Sequence, residues 1–184
     1  MIAMKLINTE IADVKILIPR VFKDTRGSFI ETWNYKTLKN LGIDEQFVQD
    51  NQSISSKGTL RGIHFQKTHP QGKLVRVVQG EVYDVAVDLR AGSPTYGQSI
   101  GELLSSDNNR LFWIPAGFGH AFYTISDTAI FTYKCTEFYD PEDQNCLRWN
   151  DPDLNIKWPL ASDSEVVLSE QDENAPFFKD LKNM

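Results

Sequence analysis

The stretch KLVRVVQGEVYDVAVDLR, residues 73–90, decides the fold class. Two short apolar runs lie on either side of the dipeptide Gln79-Gly80, and glycine is a residue that turns favour. Alternate side chains of a strand share a face, so the second run places one set opposite another: Val82, Asp84, Ala86 and Asp88 against Tyr83, Val85, Val87 and Leu89. The stretch therefore predicts two short strands separated by a turn.

The same pattern recurs along the chain. Turn signals come about every ten residues, with short apolar or alternating runs between them, as in all-β sandwiches and barrels. One helix is expected at residues 35–42, ended by Gly42. We expect residues 1–184 to form a single domain whose C-terminal tail, from about residue 151, wraps the outside.

Composition limits the classes of function. The chain has 184 residues, 41% of them hydrophobic, and a formal net charge of −6. An acidic protein lacks the basic surface that nucleic acid requires, and no apolar run approaches the about 20 residues that span a bilayer. The only cysteines are Cys135 and Cys146, and the charged N-terminus does not resemble a signal peptide. We therefore expect a cytoplasmic protein with no nucleic-acid or membrane partner.

The segment LRGIHFQ, residues 60–66, places polar side chains inside an apolar run. His64 lies between Ile63 and Phe65, where a core strand would have an apolar residue, and Lys73 follows closely. From this pattern alone, His64 is either a hydrogen-bonded core histidine or a residue that handles a proton or a metal.

Two tyrosines share a face of another predicted strand. In AIFTYKCTEFY, residues 129–139, Tyr133 and Tyr139 have the same parity. They look into the cavity together if that face lines a barrel mouth. The alternative is that both are ordinary sheet aromatics, which strands favour.

The segment PAGFGH, residues 115–120, resembles the second motif of the cupin jelly rolls. Metal-bearing cupins also have an H-x-H motif and a glutamate, whereas here the first segment reads His64-Phe65-Gln66. A metal site needs three or more convergent ligands, and the chain offers His64, His120 and His69 with a carboxylate. We therefore expect a cupin-like jelly-roll barrel, all-β with short peripheral helices, and no metal.

Several segments in order resemble one family of cupin-like enzymes, the dTDP-4-dehydrorhamnose 3,5-epimerases. They cover about residues 15–175 and include FKDTRGSFIETW, FVQDNQSISSKGTLRGIHFQ, FWIPAGFGHAF, YKCTEFY and LSEQD. The resemblance implies epimerisation at C3 and C5 of dTDP-4-dehydro-6-deoxy-D-glucose without a cofactor, in the biosynthesis of dTDP-L-rhamnose. It also implies a homodimer whose only other partner is the dTDP-linked nucleotide sugar.

The resemblance assigns a role to each candidate catalytic residue. His64 matches the base, Asp172 the carboxylate that orients it, Tyr133 the acid and Lys73 the cation beside the C4 oxygen. Arg61 matches a diphosphate contact and Tyr139 an aromatic that stacks on thymine. The full set of matched substrate-binding positions is Arg26, Glu31, Gln49, Asn51, Arg61, His120, Tyr139, Gln144 and Gln171.

The chain departs from the family pattern at a few positions: Ala121, Gln144, Cys146 and Gln171. Three other functions stay open at this point. The first is epimerisation of one carbon only, or keto isomerisation, on a related dTDP-sugar. The second is a non-catalytic cupin that binds a sugar, and the third is a metal-dependent cupin.

Overall fold

Two antiparallel sheets form the body of the protein. The computed structural model describes residues 4–161 and 164–183. Within these residues the strands are β1 (Met4–Asn8), β2 (Lys15–Pro19), β3 (Val21–Asp24), β4 (Gly27–Ile30), β5 (Gln49–Ser56), β6 (Leu60–Gln66), β7 (Lys73–Gln79), β8 (Glu81–Asp88), β9 (Ser99–Ser105), β10 (Leu111–Ile114), β11 (Phe118–Thr124), β12 (Thr128–Cys135) and β13 (Gln144–Cys146). The helices are α1 (Tyr35–Asn40), α2 (Glu170–Glu173) and a 3₁₀ helix (Phe178–Asn183).

The turn singled out in the sequence carries the chain from one sheet to the other. The first sheet has the strand order β1-β2-β10-β7-β12-β5, and the second has the order β13-β6-β11-β8-β9. Strands β7 and β8 therefore belong to different sheets, and Gly80 between them has φ 82°, where side chains are disfavoured. The predicted all-β jelly roll with short peripheral helices is confirmed.

The core between the sheets is aromatic and branched. Phe122 of β11 and Phe131 of β12 are stacked with ring centroids 4.4 Å apart, and Val82 and Ala86 of β8 belong to the same buried cluster. Such stacking contributes about 0.5–1.5 kcal/mol beyond burial. The rings of His120 and Tyr133 lie 5.9 and 6.0 Å from that of Phe131, so polar groups border this core directly.

Helix α1 covers part of the first sheet's outer face. Its Leu38 packs in a buried cluster with Trp113 of β10. The side chain of Asn34 caps the helix by accepting a hydrogen bond from the Thr37 backbone N–H, and Gly42 follows its last turn with φ 89°. The predicted helix is confirmed, although it ends at Asn40, two residues before Gly42.

The C-terminal segment covers the second sheet from outside. Leu154 and Trp158 join a cluster with Val85 and Val87 of β8, and the Trp158 ring lies 6.1 Å from that of Tyr83. Both faces of β8 are therefore buried, one against the core and the other against this segment. Nowhere in residues 4–161 and 164–183 is there a helix of the length and apolarity needed to span a membrane.

Strands β3 and β4 form a separate two-stranded sheet. Its Phe22 and Phe29 are 47% and 69% exposed. Large apolar side chains on such a hairpin leave a surface that another molecule can cover.

Candidate active site

A histidine–aspartate pair joins the second sheet to helix α2. Nε2 of His64 donates a hydrogen bond to Oδ1 of Asp172 at 2.7 Å, across 108 positions of sequence. The Asp172 side chain is 3% exposed and that of His64 is 29% exposed. With Nε2 on the carboxylate, Nδ1 is the nitrogen of the neutral ring that is left to accept a proton.

The surroundings of Asp172 keep it ionised. Ser169 caps α2 and donates its hydroxyl to Oδ2 at 2.8 Å, while the Cys146 thiol donates to Oδ1 at 3.3 Å. Burial works to raise the pKa of Asp172, but the hydrogen bond and charge of His64, with these two donors, hold that pKa below its ordinary value. The carboxylate is therefore available to orient His64 and to stabilise its protonated form.

A bulge in β6 turns two side chains to the same side. Arg61 lies opposite Phe122 of β11, and His64 lies opposite His120. Two residues of β6 but only one residue of β11 lie between these two pairs, which is a β-bulge. Directly opposed residues share a face, and His120 and Phe122 both face inward. Arg61 and His64 thus share the inner face, although regular alternation would separate positions three apart.

Gly62 makes the bulge possible. It has φ 109°, and a Cβ there would lie 2.4 Å from the carbonyl oxygen of His120. Its N–H also donates to Oδ1 of Asp172 at 3.3 Å. The close approach of β6 to β11 at this glycine sets the position of His64.

Tyr133 belongs to the opposing sheet. It lies on β12 of the first sheet, whereas His64 lies on β6 of the second. Its ring centroid is 6.4 Å from that of His120, which is paired with His64. Burial raises the pKa of Tyr133, although the charge of Arg61 opposes this, so the phenol keeps its proton at neutral pH.

Lys73 lies beside Tyr133 at the start of β7. Its Nζ is 6.0 Å from the centre of the Tyr133 ring, and the residue is 9% exposed. Burial lowers its pKa, while the charges of Cys135 and Asp84 oppose this. Among the described residues the ammonium group has no hydrogen-bonded partner, so its donors are available to a ligand.

His120 forms a second histidine–aspartate pair. Its Nε2 donates to Oδ2 of Asp84 at 2.9 Å, and both side chains are buried. Burial is the main influence on the two groups: it lowers the pKa of His120 and raises that of Asp84. His120 therefore lines the site as an uncharged side chain and does not supply positive charge.

Strand β5 brings two predicted substrate contacts next to Tyr133. Asn51 is paired with Tyr133 in register, and the Gln49 amide donates to Oδ1 of Asn51 at 3.1 Å. Arg61 donates from Nε to the hydroxyl of Ser55, on the same strand, at 3.2 Å. Polar groups of both sheets therefore surround the phenol.

The parity argument for Tyr139 is wrong. Strand β12 ends at Cys135, so Tyr139 is not on a shared strand face with Tyr133 and is 51% exposed. Its backbone N–H donates to Oε1 of Gln49 at 2.8 Å. Tyr139 thus lies on a loop tied to β5, which leaves its ring open to solvent.

The amide of Gln66 ties down the loops that adjoin the site. Its Nε2 donates to the carbonyls of His69 and Phe138 at 2.8 and 3.1 Å, and its Oε1 accepts from the Asp140 N–H at 3.0 Å. His69 is exposed and held through its backbone by Asp143. The cupin-type ligand set of His64, His69 and His120 is therefore not assembled.

The remaining matched positions are spread more widely. Gln144 is paired with Gln66 at the second sheet's edge, and Gln171 is exposed on α2. Arg26 is at the tip of the β3–β4 hairpin, ion-paired with Asp24 at 2.6 Å. Glu31 follows the hairpin and accepts from Asn34 at 3.1 Å.

Two contacts of the site were missed from the sequence. Asp84 shares a strand face with Val82 and Ala86, both buried in the core, and an acid in that position indicates a buried partner, which is His120. The hydrogen bond from Cys146 to Asp172 has no signal in the sequence, because the two residues are 26 positions apart and lie on different elements.

Comparison with known proteins identifies the family. Residues 8–180 match the family model described as dTDP-4-dehydrorhamnose 3,5-epimerase. The chain belongs to this family. The dTDP-4-dehydrorhamnose 3,5-epimerase of Pseudomonas aeruginosa is 51% identical over 178 residues, which cover 96% of this chain and 97% of that protein. The resemblance drawn from the sequence is confirmed.

Solved structures of the dTDP-4-dehydrorhamnose 3,5-epimerase family have the same fold. The epimerase from Legionella pneumophila, solved with dTDP-4-keto-L-rhamnose, superposes with a TM-score of 0.92 at 50% identity, covering 96% of this chain and 93% of that one. A 3′-monoepimerase from Streptomyces bikiniensis, solved with dTDP-quinovose, has a TM-score of 0.89 at 32% identity, covering 96% and 89%. Enzymes that invert different numbers of centres thus share this architecture.

Proposed function

We propose that the protein converts dTDP-4-dehydro-6-deoxy-D-glucose to dTDP-4-dehydro-L-rhamnose by epimerisation at C3 and C5. The observation that carries this proposal is the placement of His64 on the second sheet, hydrogen-bonded to the carboxylate of Asp172 on α2, and of a protonated Tyr133, with Lys73 beside it, on the first sheet. The ketone at C4 activates the hydrogens on both neighbouring carbons, so one site serves both inversions.

His64 acts as the base. Its Nδ1 removes the hydrogen from C3 or C5, and the resulting imidazolium is stabilised by Asp172 through the 2.7 Å hydrogen bond. The electrons of the broken C–H bond move to the C4 oxygen as an enolate. The buried Lys73 ammonium stabilises that oxygen, and removing such a preorganised donor costs about 2.7–4 kcal/mol.

Tyr133 acts as the acid. Its phenol returns a proton to the same carbon from the other face of the sugar ring, which inverts the centre. The raised pKa of Tyr133 suits a group that must hold a proton until the enolate forms. Arg61, turned inward by the bulge, suits the diphosphate oxygens of the nucleotide.

Solvent exchange tests this proposal. Incubation of the protein with the dTDP-keto sugar in deuterated water should give a product with deuterium at C3 and C5, read by NMR. Deuterium at one carbon only would show that this chain is a mono-epimerase. Ligand binding without deuterium uptake would overturn the enzymatic proposal in favour of a passive sugar-binding cupin.

We infer further that the working unit is a homodimer. In one chain Arg26 and Glu31 belong to the hairpin region, apart from both main sheets. The hairpin exposes Phe22 and Phe29, and β5 is an edge strand bearing the 62% exposed Ile54. A second copy that covers these surfaces and receives the hairpin would protect a sheet edge and carry Arg26 to a nucleotide.

Complementation between two variants tests the homodimer. A heterodimer of Arg26→Ala and His64→Asn chains, isolated with two different tags, should have about half the activity of the unmodified dimer, because one of its two sites is intact. The matched control is a heterodimer of His64→Asn and Asp172→Asn. His64 and Asp172 pair within one chain, so each of the two sites in this heterodimer has lost one member of its pair. This control should therefore stay inactive. A first heterodimer no more active than its parents would contradict the proposed exchange.

We also infer a cytoplasmic location. Cys135 and Cys146 are both buried free thiols, which a reducing compartment preserves. Mass spectrometry of the alkylated protein from the native host should find both cysteines reduced.

A further inference from the structure

Three atoms that can bind a metal converge at the proposed base. They are a ring nitrogen of His64, the sulfur of Cys146 and a carboxylate oxygen of Asp172, and all lie within 4.8 Å of one another. The three side chains come from β6, β13 and α2, so the fold itself brings them together.

The two protons that now link these atoms can be displaced by a cation. Nε2 of His64 and Sγ of Cys146 both donate to Oδ1 of Asp172, at 2.7 and 3.3 Å. If the thiol proton leaves, a thiolate and a carboxylate together balance the charge of a divalent ion, and the imidazole adds a neutral ligand. Nitrogen, sulfur and oxygen ligands together are typical of Zn²⁺.

We propose that His64, Cys146 and Asp172 form a binding site for a thiophilic divalent cation, Zn²⁺ or Cd²⁺, and that the bound ion blocks the base. Cys146 and Asp172 are 5% and 2% exposed, so little solvent competes for them, while the His64 side chain is 29% exposed. The ion displaces the thiol proton on binding, because the thiolate is the form of cysteine that binds metal.

The block follows from the hydrogen count of imidazole. A neutral ring carries one hydrogen, which is on Nε2 in the hydrogen bond to Asp172. A cation on Nε2 moves that hydrogen to Nδ1, the nitrogen that has to accept the substrate's proton. The ion also occupies the carboxylate that would stabilise the imidazolium. Occupied sites are therefore inactive, and the ion is an inhibitor, not a cofactor.

Cadmium binding without any sugar tests the site. CdCl₂ is titrated into the full chain, freed of its purification tag, and the ultraviolet charge-transfer band of a Cd–thiolate bond is recorded. We expect the band to saturate near one equivalent and ZnCl₂ to abolish it by competition. Cys146→Ser should remove the band, whereas Cys135→Ser, the matched change at the other cysteine, should retain it.

A second variant guards against misfolding of Cys146→Ser. His64→Asn keeps Cys146, so the Cd–thiolate band should remain. Removing a group that merely supports a metal ligand weakens metal binding by about 10–100-fold, so removing the ligand His64 itself should weaken Cd²⁺ binding at least about tenfold. Absence of the band in the unmodified protein, its survival in Cys146→Ser, or unchanged affinity in His64→Asn would each overturn the site.

The inhibitory consequence is measured separately. ZnCl₂ should stop solvent deuterium exchange into the dTDP-keto sugar, and a chelator should restore it. Each variant is compared with its own metal-free rate, and Cys146→Ser should need at least about tenfold more Zn²⁺ for half inhibition. If Cd²⁺ binds as expected but Zn²⁺ leaves exchange unaffected, the proposed block is wrong. Metal binding by a chain that exchanges no deuterium would instead refute only the proposed function.

Discussion

Replacing His64 with asparagine should lower turnover of the dTDP-keto sugar by about 10²–10⁴-fold, the usual contribution of a general base. Asparagine can still hydrogen-bond to Asp172, but its amide cannot accept a proton near neutral pH. Deuterium exchange should fall by the same factor as turnover, because both begin with removal of the same hydrogen. Rapid NMR assays in deuterated water measure the two quantities in one experiment.

His69→Asn is the matched control for this variant. It makes the same chemical change at an exposed histidine that the structure holds only through its backbone. We expect it to retain the activity of the unmodified protein and the same melting temperature. If His64→Asn exchanged deuterium at a rate within a few fold of this control, His64 would not be the base.

Replacing Tyr133 with phenylalanine should separate exchange from inversion. The ring keeps its contacts with Phe131 and His120, whose centroids lie 6.0 and 6.4 Å away, while the proton donor is lost. We expect product formation to fall by about 10²–10⁴-fold. His64 can still remove the hydrogen and return a solvent deuteron from its own face, so recovered substrate should be labelled.

The ratio of labelled substrate to product is the decisive measurement for Tyr133. Tyr96→Phe is the matched control, since the Tyr96 ring packs on Phe178, 5.1 Å away, outside the site. This control should keep the ratio of the unmodified protein. Equal, mild losses of exchange and product in Tyr133→Phe would contradict the separation of base and acid.

Regular features of the fold could be read from the sequence. The alternation in residues 81–90 and the turn at Gly80 predicted short strands, and the capped helix α1 ended where Gly42 indicated. These are local properties, set by side-chain parity and by backbone conformations that glycine favours. They required no knowledge of which strands would become neighbours.

The assembly of the site could not be read in this way. The partnership of His64 and Asp172 spans 108 positions, and only family resemblance joined them beforehand. The bulge at Gly62 breaks the alternation that would have separated Arg61 from His64. Conversely, strand alternation does not extend to Tyr139, because β12 ends at Cys135. Irregular backbone therefore sets the relative placement of these side chains, and periodicity cannot reveal it.

The origin of Asp172 has a consequence for how activity is maintained. The carboxylate arrives on the segment that packs over Tyr83 and Val85 from outside the barrel, not on either sheet. In the proposed mechanism, a cut that released this segment would take Asp172 away from His64 and remove the hydrogen bond on which the base depends. The proposed proton transfer therefore depends on a segment outside the two sheets as well as on the sheets themselves.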